Sequence, residues 1–124
     1  MKRDMDLARE LLKWAEDAKP NAECWSDEYG PGHEHVVVAE HIRLLKEAGL
    51  VDALLIESDG EILKARVDRL TWEGHDFVAR ARNDTAWNKA KRIAKEKGLD
   101  LTIDLLKMLL PQAAAAMLGP HAGP

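Results

Sequence analysis

The chain has 124 residues, 46% hydrophobic and 32% charged, which is enough for one globular domain and too little for two ordinary ones. This composition argues against a disordered chain, and the formal net charge of −4 argues against a protein that coats nucleic acid along its length. The single cysteine, Cys24, excludes an intramolecular disulfide. Because the N-terminus is charged and no apolar run could span a bilayer, we expect a cytoplasmic protein with no signal peptide and no membrane association.

Two amphipathic helices are predicted in the first half of the chain. The first covers residues 4–18 with Asp4 as its N-cap, and the second covers residues 34–48 and stops at Gly49. Prolines and glycines between them predict a loop with a short strand around residues 23–26. The core face of the second helix is predicted to hold Val37, Val38, His41, Ile42, Leu44, Leu45 and Ala48. Its outward face is predicted to hold Ala39, Glu40, Arg43, Lys46 and Glu47.

A β-hairpin is predicted next. Residues 51–56 form an apolar run, residues 62–70 alternate, and Asp59-Gly60 between them is typical of a type I′ turn. A hairpin closed on this dipeptide pairs Ile56 with Leu63. One face of the hairpin is then predicted to hold Leu54, Ile56, Leu63, Ala65 and Val67. The other face is predicted to hold Lys64, Arg66 and Asp68.

The second half of the chain is predicted to be helical. Thr71 is the expected N-cap of a third helix, residues 83–85 are expected to interrupt it, and Gly98 is expected to end the run that follows. The last helix begins near Asp100, and Pro111 is predicted to end or kink it. The tryptophans are interpreted by position: Trp14 is assigned to the core and Trp72 and Trp87 to half-buried anchoring sites, and Trp25, in a polar loop, is the best candidate among them for an exposed contact residue.

The order of these elements resembles that of a winged-helix domain with one helix lost or shortened. Residues 39–51 resemble the recognition helix of small bacterial repressors, which leads through L-x-x-A-G-L-V into the first wing strand. The segment L-T-W-E-G at residues 70–74 is similar to the L-T-x-x-G with which such proteins leave the wing. The resemblance implies an α+β winged-helix-like domain over residues 1–98, a C-terminal helix over 99–119 and a flexible tail over 120–124.

Three longer motifs resemble one small bacterial and phage family, catalogued as domain of unknown function number twenty-five-thirteen. They are MKRDMDL at residues 1–7, RLTWEGHDF at 69–77 and RNDTAWNK at 82–89. The resemblance extends from Met1 to about Leu110 and departs at residues 24–35 and in the alanine-rich tail. It implies a compact cytoplasmic protein, often encoded by phage or prophage, with no established activity and no known site residues.

The winged-helix resemblance implies double-stranded DNA binding in transcriptional control or in phage biology. Arg43 and Lys46 would then act in the major groove, and Lys64 and Arg66 on the DNA backbone. However, residues 1–79 hold 10 basic and 18 acidic side chains, a net charge of −8. This acidity favours the alternative, a protein–protein interaction module that keeps the fold without binding DNA.

The basic residues concentrate later in the chain. Residues 80–97 hold seven basic and two acidic side chains, a net charge of +5. Three interpretations remain open: a solvated helix face that balances the acidic remainder, a surface for nucleic-acid phosphates, or a site for an acidic protein.

The chain shows no pattern typical of an enzyme, so neither catalytic residues nor a cofactor are expected. The spacing of Cys24, His33, His35 and His41 matches no standard zinc site, and no glycine-rich phosphate loop is present. His41 is expected to be a hydrogen-bonded core histidine. The last helix is apolar on most sides, which predicts a homodimer formed through it. The residues predicted at that interface are Leu101, Leu105, Met108 and Leu109.

Overall fold

The computed structural model describes residues 1–118, which fold into five α-helices, one short 3₁₀ helix and three β-strands. In chain order these are α1 (Met5–Asp17), β1 (Cys24–Trp25), the 3₁₀ helix (Ser26–Glu28), α2 (His35–Glu47), β2 (Val51–Ser58), β3 (Glu61–Leu70), α3 (Trp72–Ala81), α4 (Asp84–Glu96) and α5 (Ile103–Leu118). None of the helices in this part of the chain is long and apolar enough to cross a membrane.

The chain forms two compact units, Met1–Val78 and Ala79–Pro124. The first unit holds α1, α2 and the three-stranded sheet, and the second holds α4 and α5. The boundary drawn from the sequence, after residue 98, falls inside the second unit. The tail predicted over 120–124 lies outside the described residues.

A buried histidine joins the start of α1 to α2. The carboxylate of Asp4 accepts a hydrogen bond from the backbone N–H of Leu7 at 3.1 Å, so Asp4 is the N-cap that the sequence predicts. The backbone N–H of Asp4 donates to Nε2 of His41 at 2.9 Å, and Nδ1 of His41 lies 2.8 Å from the carbonyl oxygen of Val37. Because a backbone N–H can only donate, Nε2 is an acceptor and Nδ1 carries the proton. The expected core role of His41 is confirmed.

The core face of α2 is shifted around the helix from the one that its sequence pattern predicts, and Val37 and Leu44, assigned to the core, are half-buried. Ala39, assigned to the outward face, is fully buried, whereas Ala48, assigned to the core, is exposed. The helix packs against α1 and against β2 and β3, so its buried arc spans two neighbouring layers. The predicted stop is confirmed, since Gly49 follows the helix with a φ of 77°.

The sheet has the order β1-β3-β2 and is antiparallel throughout. The predicted hairpin turn is confirmed: Ser58 pairs with Glu61, and Asp59 and Gly60 have φ values of 53° and 79°. Cys24 of β1 pairs with Val67. Beyond β1, the hydroxyl of Ser26 accepts a hydrogen bond from the backbone N–H of Ala65 at 3.0 Å, which continues the edge of the sheet.

The predicted hairpin register is wrong beyond the turn, because the pairing shifts between Ile56 and Glu57 and again between Asp52 and Ala53. Ile56 pairs with Lys64 instead of Leu63, and every pair farther from the turn is shifted as well. Each shift leaves one residue of β3 unpaired, first Leu63 and then Asp68.

The first shift exchanges the two faces of β2. Ala65 and Val67 are buried as predicted, but Leu54 and Leu63 are 39% and 48% exposed, and Ile56 lies on the open face. Small side chains, Ala39 on α2 and Ala53 and Ala65 on the sheet, occupy the helix–sheet layer. A bulky leucine at the position of Ala53 would hold the helix farther away.

Thr71 caps α3 as predicted. Its hydroxyl accepts a hydrogen bond from the backbone N–H of Gly74 at 3.0 Å and donates to the carbonyl oxygen of Gly49 at 2.6 Å. A Cβ atom at position 74 would lie 2.0 Å from the carbonyl oxygen of Leu50. Gly74 therefore occupies the position that a capping box would give to glutamate, because only glycine fits against this backbone.

In the second unit, Asn83 caps α4 by accepting a hydrogen bond from the backbone N–H of Ala86 at 2.9 Å, which confirms the predicted interruption. α5 begins at Ile103, later than expected, because the Thr102 hydroxyl caps its first turn. It continues through Pro111, so of the two outcomes predicted at this proline, an end or a kink, the end does not occur. Proline removes one hydrogen-bond donor from a helix, and here the turns on both sides persist.

The tryptophans differ from each other in burial. Trp87 is 1% exposed, more deeply buried than predicted, whereas Trp14, assigned to the core, is half-buried and lies edge-on to Tyr29 with ring centroids 5.0 Å apart. Trp25, the candidate for an exposed contact, is also half-buried. Trp72 is 82% exposed, so its predicted anchoring role is wrong. The first turn of α3 is held by the Thr71 cap and by Gly74 against Leu50, and it needs no aromatic contact.

Candidate nucleic-acid interface

The four cations predicted to contact DNA lie in different parts of the first unit. Arg43 and Lys46 belong to α2, which packs against the buried face of the sheet. Lys64 and Arg66 pair with Ile56 and Leu54 on the opposite face of the sheet, where Leu54 is exposed and the other three side chains are half-buried. The structure therefore separates the two predicted pairs, one on the helix layer and one on the open face of the sheet.

Arg43 is held by two carboxylates. One of its terminal nitrogens, Nη2, lies 3.2 Å from Oε1 of Glu57 and 3.5 Å from Oε1 of Glu40. Its Nε is buried without a hydrogen-bond partner among the described residues. A phosphate at this position would have to displace two negative charges, which weakens the case for Arg43 in a DNA groove.

Lys46 also has an intramolecular partner. Its ammonium group donates to the carbonyl oxygen of Ala53 at 3.1 Å, which ties the end of α2 to β2. A lysine in this arrangement neutralises a helix C-terminus and caps a strand carbonyl. Both residues predicted for groove contact thus have structural roles within the chain.

Lys64 and Arg66 form a cluster with an aromatic ring, here called the Trp25 cluster (Trp25, Lys64 and Arg66). The ammonium nitrogen of Lys64 lies 4.4 Å from the centroid of the Trp25 ring, and the guanidinium carbon of Arg66 lies 5.3 Å from it. Both distances are within the range of cation–π attraction. The cluster thus combines two positive charges and a large flat ring at the edge of the sheet.

Two carboxylates border the Trp25 cluster. Nε of Arg66 donates to Oδ1 of Asp68 at 2.6 Å, and this hydrogen bond raises the pKa of the Arg66 guanidinium. The indole N–H of Trp25 donates to Glu23 at 3.1 Å. Lys64 makes no ion pair among the described residues, so its charge is the less compensated of the two.

The sequence singles out Trp25, Lys64 and Arg66 separately but does not predict that they meet. Their meeting depends on β1 pairing with β3, where Trp25 lies opposite Arg66. A two-residue strand has no periodicity of its own, so no local pattern predicts this pairing. The cysteine beside Trp25 points to the other side of the sheet and is buried.

Cys24 has the environment of a structural thiol. Burial, and then the negative charge of Glu28, raise its pKa above the ordinary value. It lines a surface cavity of about 360 Å³ together with Glu16 and His75, whose Nδ1 lies 3.5 Å from the Glu16 carboxylate. A nucleophilic cysteine needs a lowered pKa, so this neighbourhood does not favour thiol catalysis. Within residues 1–118 no group of three or more His, Cys, Asp or Glu side chains could hold a metal ion.

Comparison with known proteins places the chain in one family. A family model described as "Hypothetical protein (DUF2513)" matches residues 2–100. An uncharacterized protein of Haemophilus influenzae is 38% identical over 120 residues, which cover 95% of this chain and 99% of that protein. No solved structure matches the chain significantly. Because this family model matches residues 2–100, the chain belongs to the DUF2513 family, as its sequence motifs predict.

Proposed function

We propose that residues 1–78 form a winged-helix domain that binds double-stranded DNA, as a transcriptional regulator or a phage accessory factor. The order α1, β1, 3₁₀ helix, α2, β2, β3 and the strand order β1-β3-β2 support the fold assignment. The 3₁₀ helix Ser26–Glu28 takes the place in chain order of the helix that the resemblance lacks. In this interpretation β2 and β3 are the wing and α2 is the recognition helix.

The Trp25 cluster is the observation that carries this proposal. A wing contacts the DNA backbone, where Lys64 can act as a point charge and Arg66 can bind a phosphate through its planar guanidinium. The Trp25 ring supplies a rigid surface that aligns both cations. Arg43, Lys46 and Arg66 all have polar intramolecular partners, whereas Lys64 makes no ion pair among the described residues, so we expect the Trp25 cluster, through Lys64, to supply more of the affinity than the α2 pair does.

The test is a titration of the full chain with a fluorescent 20-base-pair duplex of random sequence between 50 and 200 mM salt. Each phosphate contact contributes about 0.9 to the slope of log affinity against log salt, so Lys64→Gln with Arg66→Gln should reduce the slope by about 2. Arg43→Gln with Lys46→Gln should change it less. Lys2→Gln with Arg3→Gln is the matched control, because it removes two cations from the exposed N-terminus. Absence of binding by the wild-type protein at 50 mM salt would contradict the proposal.

The second candidate function is a protein–protein interaction module, and Trp72 is the observation that favours it. This indole is 82% exposed at the start of α3, and exposed tryptophans are enriched at the centres of protein interfaces. The net charge of −8 on residues 1–78 also opposes DNA. Under this alternative, Trp72→Ala abolishes co-purification of the partner and Lys64→Gln with Arg66→Gln leaves it unchanged; under the DNA proposal, Trp72→Ala leaves duplex binding unchanged.

A further inference from the structure

We propose that the outward face of α4 binds the phosphate backbone of double-stranded DNA independently of base sequence. This surface, here called the α4 basic face, consists of Asn88, Lys89, Arg92 and Lys95. The inference rests on the proposed function, because it adds a second DNA contact to the one proposed for residues 1–78. It assigns one of the three interpretations that the sequence leaves open for residues 80–97.

The helix itself directs these side chains outward. α4 buries Ala86, Trp87, Ala90 and Ala94 along one side. On the other side, Lys89, Arg92 and Lys95 follow one another at spacings of three residues, and Asn88 lies four residues before Arg92; Arg92 and Lys95 are exposed and Lys89 is half-buried. Burial of the alanines fixes which side of the helix faces inward, and the Asn83 side chain caps its first turn.

The charges on the α4 basic face are uncompensated. Lys89, Arg92 and Lys95 form no ion pair within 4.0 Å among the described residues, and this includes Arg92 with Glu96, the carboxylate four residues after it on the same side of the helix. Arg43 of α2 is the contrasting case, since it contacts two carboxylates. Cations without partners retain the full gain of replacing counterions on a polyanion.

The chemistry of the face favours DNA over an acidic protein. Protein interfaces have an apolar or aromatic centre, whereas protein–DNA interfaces are polar and strongly positive. Among the described residues, the exposed large hydrophobic side chains all lie outside α4. Asn88 adds an amide that can donate to a phosphate oxygen.

The spacing of the cations also fits a duplex. An α-helix rises 1.5 Å per residue, so Lys89 and Lys95 lie about 9 Å apart along the axis. One strand of B-DNA presents a phosphate every 3.4 Å along its axis, so about two or three phosphates fall within this length. Three side chains of this length and flexibility can therefore contact neighbouring phosphates at once.

The experiment measures the salt dependence of duplex binding by the full chain and three variants. Lys89→Gln, Arg92→Gln and Lys95→Gln together should reduce the slope of log affinity against log salt by about 2.7, at 0.9 per contact. Lys89→Arg with Lys95→Arg keeps the charges and should keep the wild-type slope. The matched control, Lys2→Gln with Arg3→Gln and Lys19→Gln, removes the same charge from residues 1–78 and should leave most of the slope. Circular dichroism verifies that each variant retains the wild-type helix content.

The outcomes separate this inference from the proposed function. If the wild-type protein binds and the triple α4 variant keeps its slope, the inference is wrong and the proposed function stands. If the α4 variant loses the slope while Lys64→Gln with Arg66→Gln does not, the inference holds and the proposed wing contact fails. Absence of wild-type binding overturns both. If polyglutamate binds the wild-type protein more tightly than the duplex does at the same salt concentration, and the triple α4 variant loses that binding, α4 prefers acidic polypeptides, which also overturns the inference.

Discussion

Gly74 is required by the backbone of Leu50, which leaves no room for a side chain at the start of α3. The T-x-x-G pattern at residues 71–74 thus has a physical cause: the threonine caps the helix and the glycine lets it approach the end of α2. The Leu50 carbonyl oxygen also accepts a hydrogen bond from the backbone N–H of Thr71. A change at Gly74 that displaces Leu50 would therefore disturb this hydrogen bond as well.

We expect Gly74→Ala to destabilise the protein by about 1–3 kcal/mol, because the new methyl group would lie 2.0 Å from the Leu50 carbonyl oxygen and must displace the backbone. Urea unfolding monitored by circular dichroism measures the change. Asp76→Ala, at an exposed position of the same helix, is the control and should shift the free energy of unfolding by less than about 0.5 kcal/mol. Equal stability of Gly74→Ala and wild type would contradict the close approach.

Cys24 should react slowly with iodoacetamide at neutral pH. Burial and the Glu28 carboxylate raise the pKa of its thiol, so alkylation should have its midpoint above the ordinary thiol value of about 8.5. Glu28→Gln should lower that midpoint. Since the folded pKa is raised, the thiol's contribution to stability is present below the unfolded pKa and is lost as the pH rises through the folded pKa. Mass spectrometry measures the rate of Cys24 alkylation as a function of pH. A midpoint at or below that of a free cysteine would refute the prediction.

At the scale of elements, the register of the hairpin is set by the turn near its tip and by packing against α2 farther along the strands. The Asp59-Gly60 turn sets the first two pairs, Ser58 with Glu61 and Glu57 with Ile62. Beyond these pairs the packing of α2 on the sheet determines the register of the strands. The register there differs by one residue from the register that the turn sets, and Leu63 is the residue left unpaired between the two. The packing of α2 on the sheet, and not the turn, therefore determines which β2 residues share the open face with Lys64 and Arg66.

Gly60→Ala should destabilise the hairpin by about 1–2 kcal/mol, because a residue with a Cβ is strained at the φ of 79°. No atom lies near the position that a Cβ would take, so steric contact adds nothing to this cost. Gly60→Asn should cost less, since asparagine tolerates this conformation. Thermal unfolding of the three proteins ranks them, and an alanine variant as stable as wild type would mean that the turn has another geometry.

At the scale of the molecule, charge is divided between the two units. Residues 1–78 carry a net charge of −8, and residues 80–97 of the second unit carry +5. The overall charge of −4 conceals this division. A polyanion such as DNA would meet very different potentials on the two units, which is why the test of DNA binding separates variants in α4 from variants in the wing.

We expect the chain to form a homodimer through α5. Leu109, named for that interface from the sequence, is buried within the single chain, but Met108 and Leu118 are exposed on α5. Met108→Glu with Leu118→Glu should convert the dimer to a monomer, because two charges would have to be buried at the contact. Gln112→Glu, at an exposed polar position, is the control. Light scattering at micromolar concentration measures the mass, and a monomeric wild-type protein would refute the prediction.

Much of the fold follows from local patterns. The N-caps at Asp4 and Thr71, the interruption at residues 83–85 and the stop at Gly49 each depend on groups within three or four residues, and all are confirmed. The Asp59-Gly60 turn belongs to the same class. The candidate site could be predicted only in part: the cations are evident from the sequence, but the Glu57 carboxylate beside Arg43 and the ring beside Lys64 come from distant segments.

The sequence by itself determined where α1 to α4 start and stop, where the hairpin turns and which family the chain belongs to. Only the tertiary structure decided which face of β2 is buried, that Trp72 is exposed, and that Trp25 meets Lys64 and Arg66. The two sets of features differ in the sequence separation of the interactions that determine them. Caps and turns depend on neighbours a few residues away, whereas the register and the partners of a side chain depend on how α2 and β1 pack against strands some 20–40 residues further along the chain.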